Sequence, residues 1–255
     1  MTALAAVESQ PLPDKRDFPA GAMIVPCHDL ARYHQFTYDL MLLDVPDGTI
    51  PIMKRSSSIV QNFNASVQEM LDSEAQWAWI IGDDHGFKRD IVLRLLRHEA
   101  DIVVPLCVKR GPPFSLVLFD SVWGEDEYGR PLYNTMQFPD LPSDGKLFEV
   151  EAAGTAGMLV RRHVFEAIGD PWFENSDGIT INEDMVFCIR AREAGFKIMV
   201  DPTAVITHLG MLSAYPEQHD GTWGLTLDLQ GAAVHLPNGI KLDAPEGDFK
   251  KGHVR

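Results

Sequence analysis

The chain has 255 residues, of which 45% are apolar and 23% are charged, a composition typical of a soluble globular enzyme. This length suits one large domain, or one domain with an appendage, and it can bury a sizeable core without disulfides. The formal net charge of −15 argues against a general polyanion-binding protein, because such a surface repels nucleic acid at long range.

The three cysteines, Cys27, Cys107 and Cys188, lie far apart in apolar runs. Their odd number and spacing predict reduced core residues, not a disulfide framework or a zinc site. Residues 1–20 predict a flexible lead without the features of a signal peptide. No apolar run reaches the roughly 18 residues that a transmembrane helix needs. We therefore expect a soluble, cytoplasmic protein.

The first half of the chain alternates between predicted strands and predicted helices. The strands are predicted over 22–26, 77–81 and 101–108, the helices over 29–43, 58–71 and 90–99, and a loop over 44–58. This alternation predicts a parallel sheet with helices on its faces. Residues 109–150, rich in proline and acidic side chains, predict irregular loops and short strands.

The second half is predicted to complete one domain over 21–212, followed by an extension over 213–255. The predicted elements are a strand over 154–161, a short helix over 163–168, a helix over 182–194, and a strand over 197–200 with an extension over 204–207. Asn182 is the expected N-cap of the third of these elements, and Gly195 ends it. Residues 223–229 and 232–236 predict a hairpin through Gln230-Gly231.

The run Gly82-Asp83-Asp84-His85 follows a predicted buried strand directly. Ligands bind at strand ends in open parallel sheets. Two adjacent carboxylates attract a divalent cation, which neutralises the charge of a diphosphate leaving group. The alternative is structural, because Asp84 or Asp90 also fits the N-cap of the helix over 90–99.

Three later features have both a functional and a structural interpretation. Small residues in the segment 154–157 allow close approach of a ligand, or simply let a strand pack. Glu183 and Asp184 lie in the first turn of a helix, where a carboxylate serves as a general base or complements the helix dipole. His208 is either a structural residue or a ligand that suits Mn²⁺.

The order and spacing of three segments resemble those of GT-A fold glycosyltransferases, especially compact bacterial and phage members of the family 2 type. The segments are WAWIIGDDHGFKRDIVLRLLRHEADIVVPLCVKR, GTAGMLVRRHVFEAIGDPWF and ITINEDMVFCIRAREAGFKIMVDP, and the resemblance covers about 22–210. It implies an α/β, Rossmann-like GT-A fold with a mostly parallel central sheet. It also implies metal-dependent transfer of a hexosyl or pentosyl group from a nucleotide-sugar, a UDP-sugar in first place, to an acceptor hydroxyl with inversion.

The resemblance also implies roles for individual residues. The general base is Asp184, with Glu183 as the second candidate. The cation is Mn²⁺ or Mg²⁺, and its candidate ligands are Asp83, Asp84, His85 and His208. The donor-binding candidates are Pro26, Cys27, His28, Asp29, Arg55, Asn62, Asp83, Asp84, Gly154, Ala156 and Gly157.

The register of the acidic motif stays open, because many relatives have an acid where Gly82 stands. In one register Asp83 contacts the ribose or the metal and Asp84 holds the metal. In the other, Asp83 and His85 are the ligands. Lys109 and Arg110 border the acceptor cleft or form a solvated rim.

Other functions and acceptors remain open at this point. A nucleotidyltransferase usually has a glycine-rich loop after its first strand, which VPCHDLARYH lacks. A non-catalytic relative that binds nucleotide-sugars is a further alternative, and retaining chemistry also stays open. The acceptor is a protein, a modified DNA base, a glycan or a small molecule, and the sequence does not predict an oligomeric state.

Overall fold

The computed structural model describes residues 13–27, 33–174, 182–210, 212–219, 222–229 and 232–236. The chain divides into two compact units, Met1–Leu209 and Gly210–Arg255. Among the described residues, no helix has the length and apolar character needed to cross a lipid bilayer.

The first unit contains strands β1–β11 and helices α1–α5. The strands are β1 (Ala22–Cys27), β2 (Ile50–Arg55), β3 (Trp77–Ile80), β4 (His85–Phe87), β5 (Ile102–Leu106), β6 (Leu118–Glu125), β7 (Pro131–Thr135), β8 (Phe148–Val150), β9 (Ala152–Ala153), β10 (Met158–Arg161) and β11 (Ile198–His208). The helices are α1 (His34–Leu42), α2 (Ile59–Asp72), α3 (Ile91–Leu96), α4 (Arg162–Ile168) and α5 (Glu183–Glu193).

The second unit contains one antiparallel sheet of three strands, β12 (Ser213–His219), β13 (Thr222–Asp228) and β14 (Ala233–Leu236), in that order. Strands β13 and β14 pair where the sequence predicts a hairpin. Gln230 and Gly231 lie outside the described residues. Strand β12 was not predicted, because its proline and polar side chains mask the pattern of a strand.

The central sheet of the first unit has the order β2-β1-β3-β10-β5-β11-β4, and β8 pairs with β11. Strands β1, β2, β3, β5 and β11 run in one direction, and β4, β8 and β10 run against them. The sheet is therefore mostly parallel, as the sequence predicts. A smaller antiparallel sheet, β7-β6-β9, accounts for part of the segment where short strands were predicted.

Strand β3 is fully buried because helices cover both faces of the sheet. Its alternating side chains go to different cores: Ala78 and Ile80 pack with helix α2, whereas Trp77 and Trp79 pack with helices α1 and α3. The indole N–H of Trp79 donates to the carbonyl of Gly157 at 3.0 Å. The strand that precedes the acidic motif is therefore held rigidly on both sides.

Two strands correct the sequence prediction. The predicted loop over 44–58 contains β2, which pairs with β1 alone among the described strands and fully buries just one of its own residues, Ile52. Because Pro51 is tolerated at a sheet edge and few apolar side chains are needed there, the strand lacks the usual sequence signal. Strand β4 is only three residues long and forms through pairing with β11, which is distant in sequence.

The ends of several elements also differ from the prediction. Helix α3 ends at Leu96, earlier than the predicted helix over 90–99, and β10 begins only at Met158. Asn182 precedes α5 as predicted, but its side chain makes no capping hydrogen bond. Helix α1 covers the described part of the helix predicted over 29–43.

The parallel strands bring the predicted site to one edge of the sheet. Strand β1 ends at Cys27, β3 is followed by Gly82–His85, and β5 is followed by Cys107. Strand β11 runs in the same direction and ends at His208. Carboxyl ends of parallel strands are where such folds place ligands. Residues that are far apart in the sequence are therefore neighbours here.

An irregularity in the pairing of β11 with β5 lies next to a buried carboxylate. Asp201 is 1% exposed, and its oxygens accept hydrogen bonds from Thr203 and from the side chains of Arg97 and His98. Burial favours the neutral acid, but hydrogen bonds from His98 and Thr203 outweigh it and lower the pKa of Asp201 to about 2. The stability that this charge contributes is present above about pH 4 and is lost as the pH falls towards 2.

We expect Asp201→Asn to lower the free energy of unfolding by about 2 kcal/mol at pH 7, because it removes the charge that these donors stabilise. Urea denaturation at pH 7 and pH 3 measures the effect, and the difference from the natural protein should shrink at pH 3. Asp101→Asn is the control, since Asp101 pairs with His163 at the exposed surface, where an ion pair contributes little. Equal losses in the two variants would contradict this account of Asp201.

Candidate active site

A small cavity of about 190 Å³ lies where β1 and β3 end. Its walls are formed by Pro26, Cys27, Ser56, Ser57, Ile59, Asn62, Gly82, Asp83 and Asp84. Five predicted donor-binding residues are therefore brought together. Ser56 and Ser57 were not predicted, because they follow the strand that the sequence did not reveal.

Arg55, another predicted donor residue, is not in the wall of this cavity. Arg55 ends β2 beside Cys27, and its side chain is exposed. His28 and Asp29 lie outside the described residues. Within the described part of the chain, the polar groups of the small cavity thus come from the end of β1, the loop after β3, the segment that joins β2 to α2, and Asn62 on α2.

Asp84 is the centre of a polar cluster at this edge. Its Oδ1 lies 3.0 Å from Nδ1 of His85, and its Oδ2 lies 3.3 Å from Nε2 of His208. The guanidinium of Arg110 also donates to Oδ2 at 3.1 Å. The two imidazole rings stack with their centroids 4.4 Å apart. Strand pairing explains the arrangement, because β4 and β11 place His85 directly opposite His208.

The electrostatics of this cluster are those of an ion network. Burial opposes the charge of Asp84, but hydrogen bonds to His208 and His85 hold its pKa well below the usual range. Burial favours the neutral rings, but Asp84 and Cys107 raise the pKa of His85 to about 9 and that of His208 to about 10. The Asp84 carboxylate thus favours the protonated, positively charged forms of both histidines. In these forms, ring protons occupy positions next to Asp84 where a metal ion would bind.

The residues of this cluster fit a divalent metal. The side chain of His85 is 8% exposed, and its buried Nε2 has no hydrogen-bond partner among the residues that the structure describes. A buried nitrogen of this kind is costly unless a ligand or a water satisfies it. Oδ2 of Asp84 and Nε2 of His208 face each other, and both are atoms that bind first-row divalent metals. Asp83 lines the small cavity, as Asp84 does, and lies close enough to Cys27 for its charge to act on the thiol.

A larger cavity of about 590 Å³ adjoins the cluster at Arg110 and His208. Its walls are formed by Lys109, Arg110, Val117, Phe119, Trp123, Leu132, Tyr133, Gly154, Asn182, Asp184, Met185 and His208. The aromatic side chains come from the β6–β7 hairpin, which the sequence did not single out. Lys109 and Arg110, for which the sequence left open a cleft border or a solvated rim, are among these lining residues.

Asp184 lies in the wall of the larger cavity, at the first turn of α5. The backbone N–H of Met185 donates to its Oδ1 at 2.8 Å, which fixes the carboxylate. Burial and the charge of Glu183 raise the pKa of Asp184 to about 6, although backbone N–H groups act in the opposite direction. At neutral pH the carboxylate is ionised and close to the pKa that favours proton abstraction.

The small residues predicted to contact the sugar have two different surroundings. Gly154 lines the larger cavity, and a Cβ there would lie 3.4 Å from Oδ2 of Asp184. Gly157 has φ +74°, and a Cβ there would lie 2.1 Å from Cδ1 of Ile206. Ala156 packs against the core on the Trp79 face. The structure thus gives Gly157 and Ala156 a packing function and leaves Gly154 at the cavity.

Comparison with known proteins gives matches in structure alone. No protein-family model and no curated protein matches the sequence. The crystal structure of A197 from STIV is 10% identical, with 90% of this chain and 100% of that chain covered and a TM-score of 0.50. GalNAc-T7, crystallised with UDP, GalNAc and Mn²⁺, is 10% identical, with 79% of this chain and 44% of that chain covered and a TM-score of 0.51.

A third solved structure, S. aureus TarS 1-349, is 12% identical, with 75% of this chain and 60% of that chain covered and a TM-score of 0.46. The chain thus spans less than two thirds of GalNAc-T7 and of TarS 1-349, and the full length of A197. For A197 and GalNAc-T7, at 10% identity, the likeness concerns the fold. It agrees with the central sheet and flanking helices described above, and this chain has the α/β GT-A fold that the sequence predicts.

Proposed function

We propose that this protein is a metal-dependent glycosyltransferase that moves a sugar from a nucleotide-sugar to an acceptor hydroxyl with inversion. One observation carries the proposal: the Asp84–His208 pair joins the two cavities. Asp84 lines the small cavity, His208 lines the larger one, and their facing atoms are 3.3 Å apart. A cation held there would lie between a donor on one side and an acceptor on the other.

The small cavity supplies the features that a nucleoside diphosphate needs. Asn62, Ser56 and Ser57 offer neutral hydrogen-bonding groups for a base and a ribose. Asp84, His85 and His208 would hold Mn²⁺ or Mg²⁺, and Asp83 completes the candidate set in the alternative register. The bound cation neutralises the charge that develops on the diphosphate as the sugar leaves. UDP is the favoured nucleotide, which is consistent with the UDP and Mn²⁺ in the GalNAc-T7 structure.

The larger cavity would hold the acceptor, with Asp184 as the general base. The acceptor oxygen attacks the anomeric carbon, its proton passes to the Asp184 carboxylate, and the bond from the anomeric carbon to the diphosphate oxygen breaks. A single displacement of this kind inverts the anomeric centre. Glu183 tunes the base by its charge. Gly154 keeps the space in front of that carboxylate clear.

The walls of the acceptor cavity favour a ring-shaped acceptor. Trp123 and Tyr133 provide aromatic faces, and Lys109 adds a cation at the rim. Aromatic faces bury the apolar side of a sugar or a base. Among the open acceptor classes, duplex DNA fits least, because the net charge of −15 repels it. A glycan, a small molecule or a side chain on a protein fits this cavity better.

Calorimetric titration of UDP with and without Mn²⁺ tests the proposal, with GDP as the comparison nucleotide. We expect Mn²⁺ to tighten UDP binding by about tenfold or more, equivalent to about 1.4 kcal/mol. UDP-sugars incubated with the protein and Mn²⁺ should also release UDP slowly, because water can serve as a poor acceptor. The absence of metal-dependent binding for every nucleoside diphosphate tried would rule out the proposed function.

A further inference from the structure

Cys107 lies beside the two histidines of the candidate metal centre. It follows strand β5 directly and is 3% exposed. Its Sγ and one nitrogen from each of His85 and His208 all lie within 4.8 Å of one another. The sulfur also lies 3.5 Å from the carbonyl oxygen of Val108. Sequence spacing predicted a plain core thiol here, but the ends of three different strands bring the three side chains together.

Both imidazoles are oriented as metal ligands usually are. Nδ1 of His208 lies 2.9 Å from the Val108 carbonyl, and Nδ1 of His85 lies 3.0 Å from Oδ1 of Asp84. Metal-bound histidines commonly donate one ring N–H to a carbonyl or carboxylate and keep the other nitrogen for the metal. Here this arrangement leaves both Nε2 atoms for a metal, and that of His85 is buried without a hydrogen-bond partner in the described part of the chain.

We propose that Cys107 is a thiolate ligand of the cation at this centre and that the centre therefore prefers Zn²⁺ to Mg²⁺ or Mn²⁺. This inference rests on the metal site of the proposed function and changes its ligand set to His85, His208 and Cys107. Asp84 is then a neighbour of the bound ion and not one of its ligands. Thiolate and imidazole together favour Zn²⁺, whereas Mg²⁺ and Mn²⁺ prefer carboxylate, carbonyl and water oxygens. On binding, the thiol proton is released to solvent.

The charges around this ligand set are mixed. The thiolate and the Asp84 carboxylate contribute two negative charges, the neutral imidazoles contribute none, and Arg110 adds one positive charge beside Oδ2 of Asp84. Three protein ligands around Zn²⁺ leave one coordination position open, as in catalytic zinc sites. That position is available to an oxygen of the diphosphate, which connects the centre to the donor cavity.

Titration of the full, metal-free protein with Co²⁺ tests this inference without any measurement of transferase activity. We expect a near-ultraviolet absorption band from thiolate-to-cobalt charge transfer, which Zn²⁺ then displaces. Cys107→Ser should lose the band and bind Zn²⁺ about 10- to 100-fold more weakly, while its Mn²⁺ affinity changes less than about threefold. Cys188→Ser is the matched control, because Cys188 is buried against Ala153 away from the cluster, and it should keep the band.

Two results would overturn the inference: no charge-transfer band in the natural protein, or an undiminished band in Cys107→Ser. The first result is measured on the natural protein, so it remains decisive even if a substitution at Cys107 prevents folding. Cys107→Ala provides a second variant for the second result. The UDP titration separates this inference from the proposed function. Metal-dependent UDP binding without a thiolate band means that only Cys107 is wrongly assigned. A thiolate band without nucleotide binding means that the metal centre stands and the transferase proposal fails.

Discussion

Asp184→Asn is expected to lower kcat by about 10³-fold while leaving the Kd of the nucleotide-sugar within about twofold. Asparagine keeps the shape of the side chain and its contact with the Met185 N–H, but it cannot accept the acceptor proton. Loss of a general base typically costs two to four orders of magnitude in rate. Single-turnover kinetics and donor titration measure the two quantities separately. A variant that keeps near-natural turnover would show that another group is the base.

The pKa of Asp184 also predicts opposite effects of pH on activity and stability. Because the carboxylate must be ionised, kcat/KM of the natural protein should fall below about pH 6. The same raised pKa means that ionisation weakens the fold as the pH rises through about 6, since the unfolded chain ionises more readily. Asp184→Asn should therefore be more stable by about 1–2 kcal/mol at pH 8, and this gain should vanish below pH 4.

Glu183→Gln is the matched control for both effects. Glu183 is the preceding residue on α5, and its charge raises the pKa of Asp184. Its removal should keep kcat within about tenfold and shift the acid limb of the pH profile to lower pH. If Glu183→Gln instead loses as much turnover as Asp184→Asn, Glu183 is the base, the second assignment that the sequence allows.

The parts of the fold that local patterns predict are those that need no distant partner to be recognised. The run WAWI is apolar on both faces, which predicts a central strand. The structure places this strand between two helical layers. Strands β2 and β4 lack such a pattern. They form because they pair with the edges of β1 and β11. This pairing depends on residues that are distant in the sequence, so a local pattern does not predict it.

The candidate site divides in the same way. Asp84, Asp184 and His208 follow strands or open a helix in a recognisable order, so the sequence could single them out. Cys107 could not be singled out, because its significance depends on two histidines from other strands. The aromatic wall around Trp123 depends on a hairpin inside a segment whose composition predicts only loops and short strands.

The open register of the acidic motif can be resolved by Asp84→Asn and Asp83→Asn, tested side by side. Both aspartates line the donor cavity, and Asp84 also contacts both histidines and Arg110. We expect Asp84→Asn to reduce Mn²⁺-dependent UDP affinity by about 10- to 100-fold, as substitutions at or next to metal ligands typically do. Calorimetry at fixed UDP with increasing Mn²⁺ measures this loss.

Asp83→Asn should weaken UDP binding about equally with and without Mn²⁺, because the side chain faces the nucleotide cavity. The decisive quantity is the ratio of the two affinities in each variant: it should fall towards one in Asp84→Asn and stay near the natural value in Asp83→Asn. The reverse pattern would assign the metal to Asp83 and His85. Asp84 would then be left as the carboxylate that orients His85 through its Oδ1.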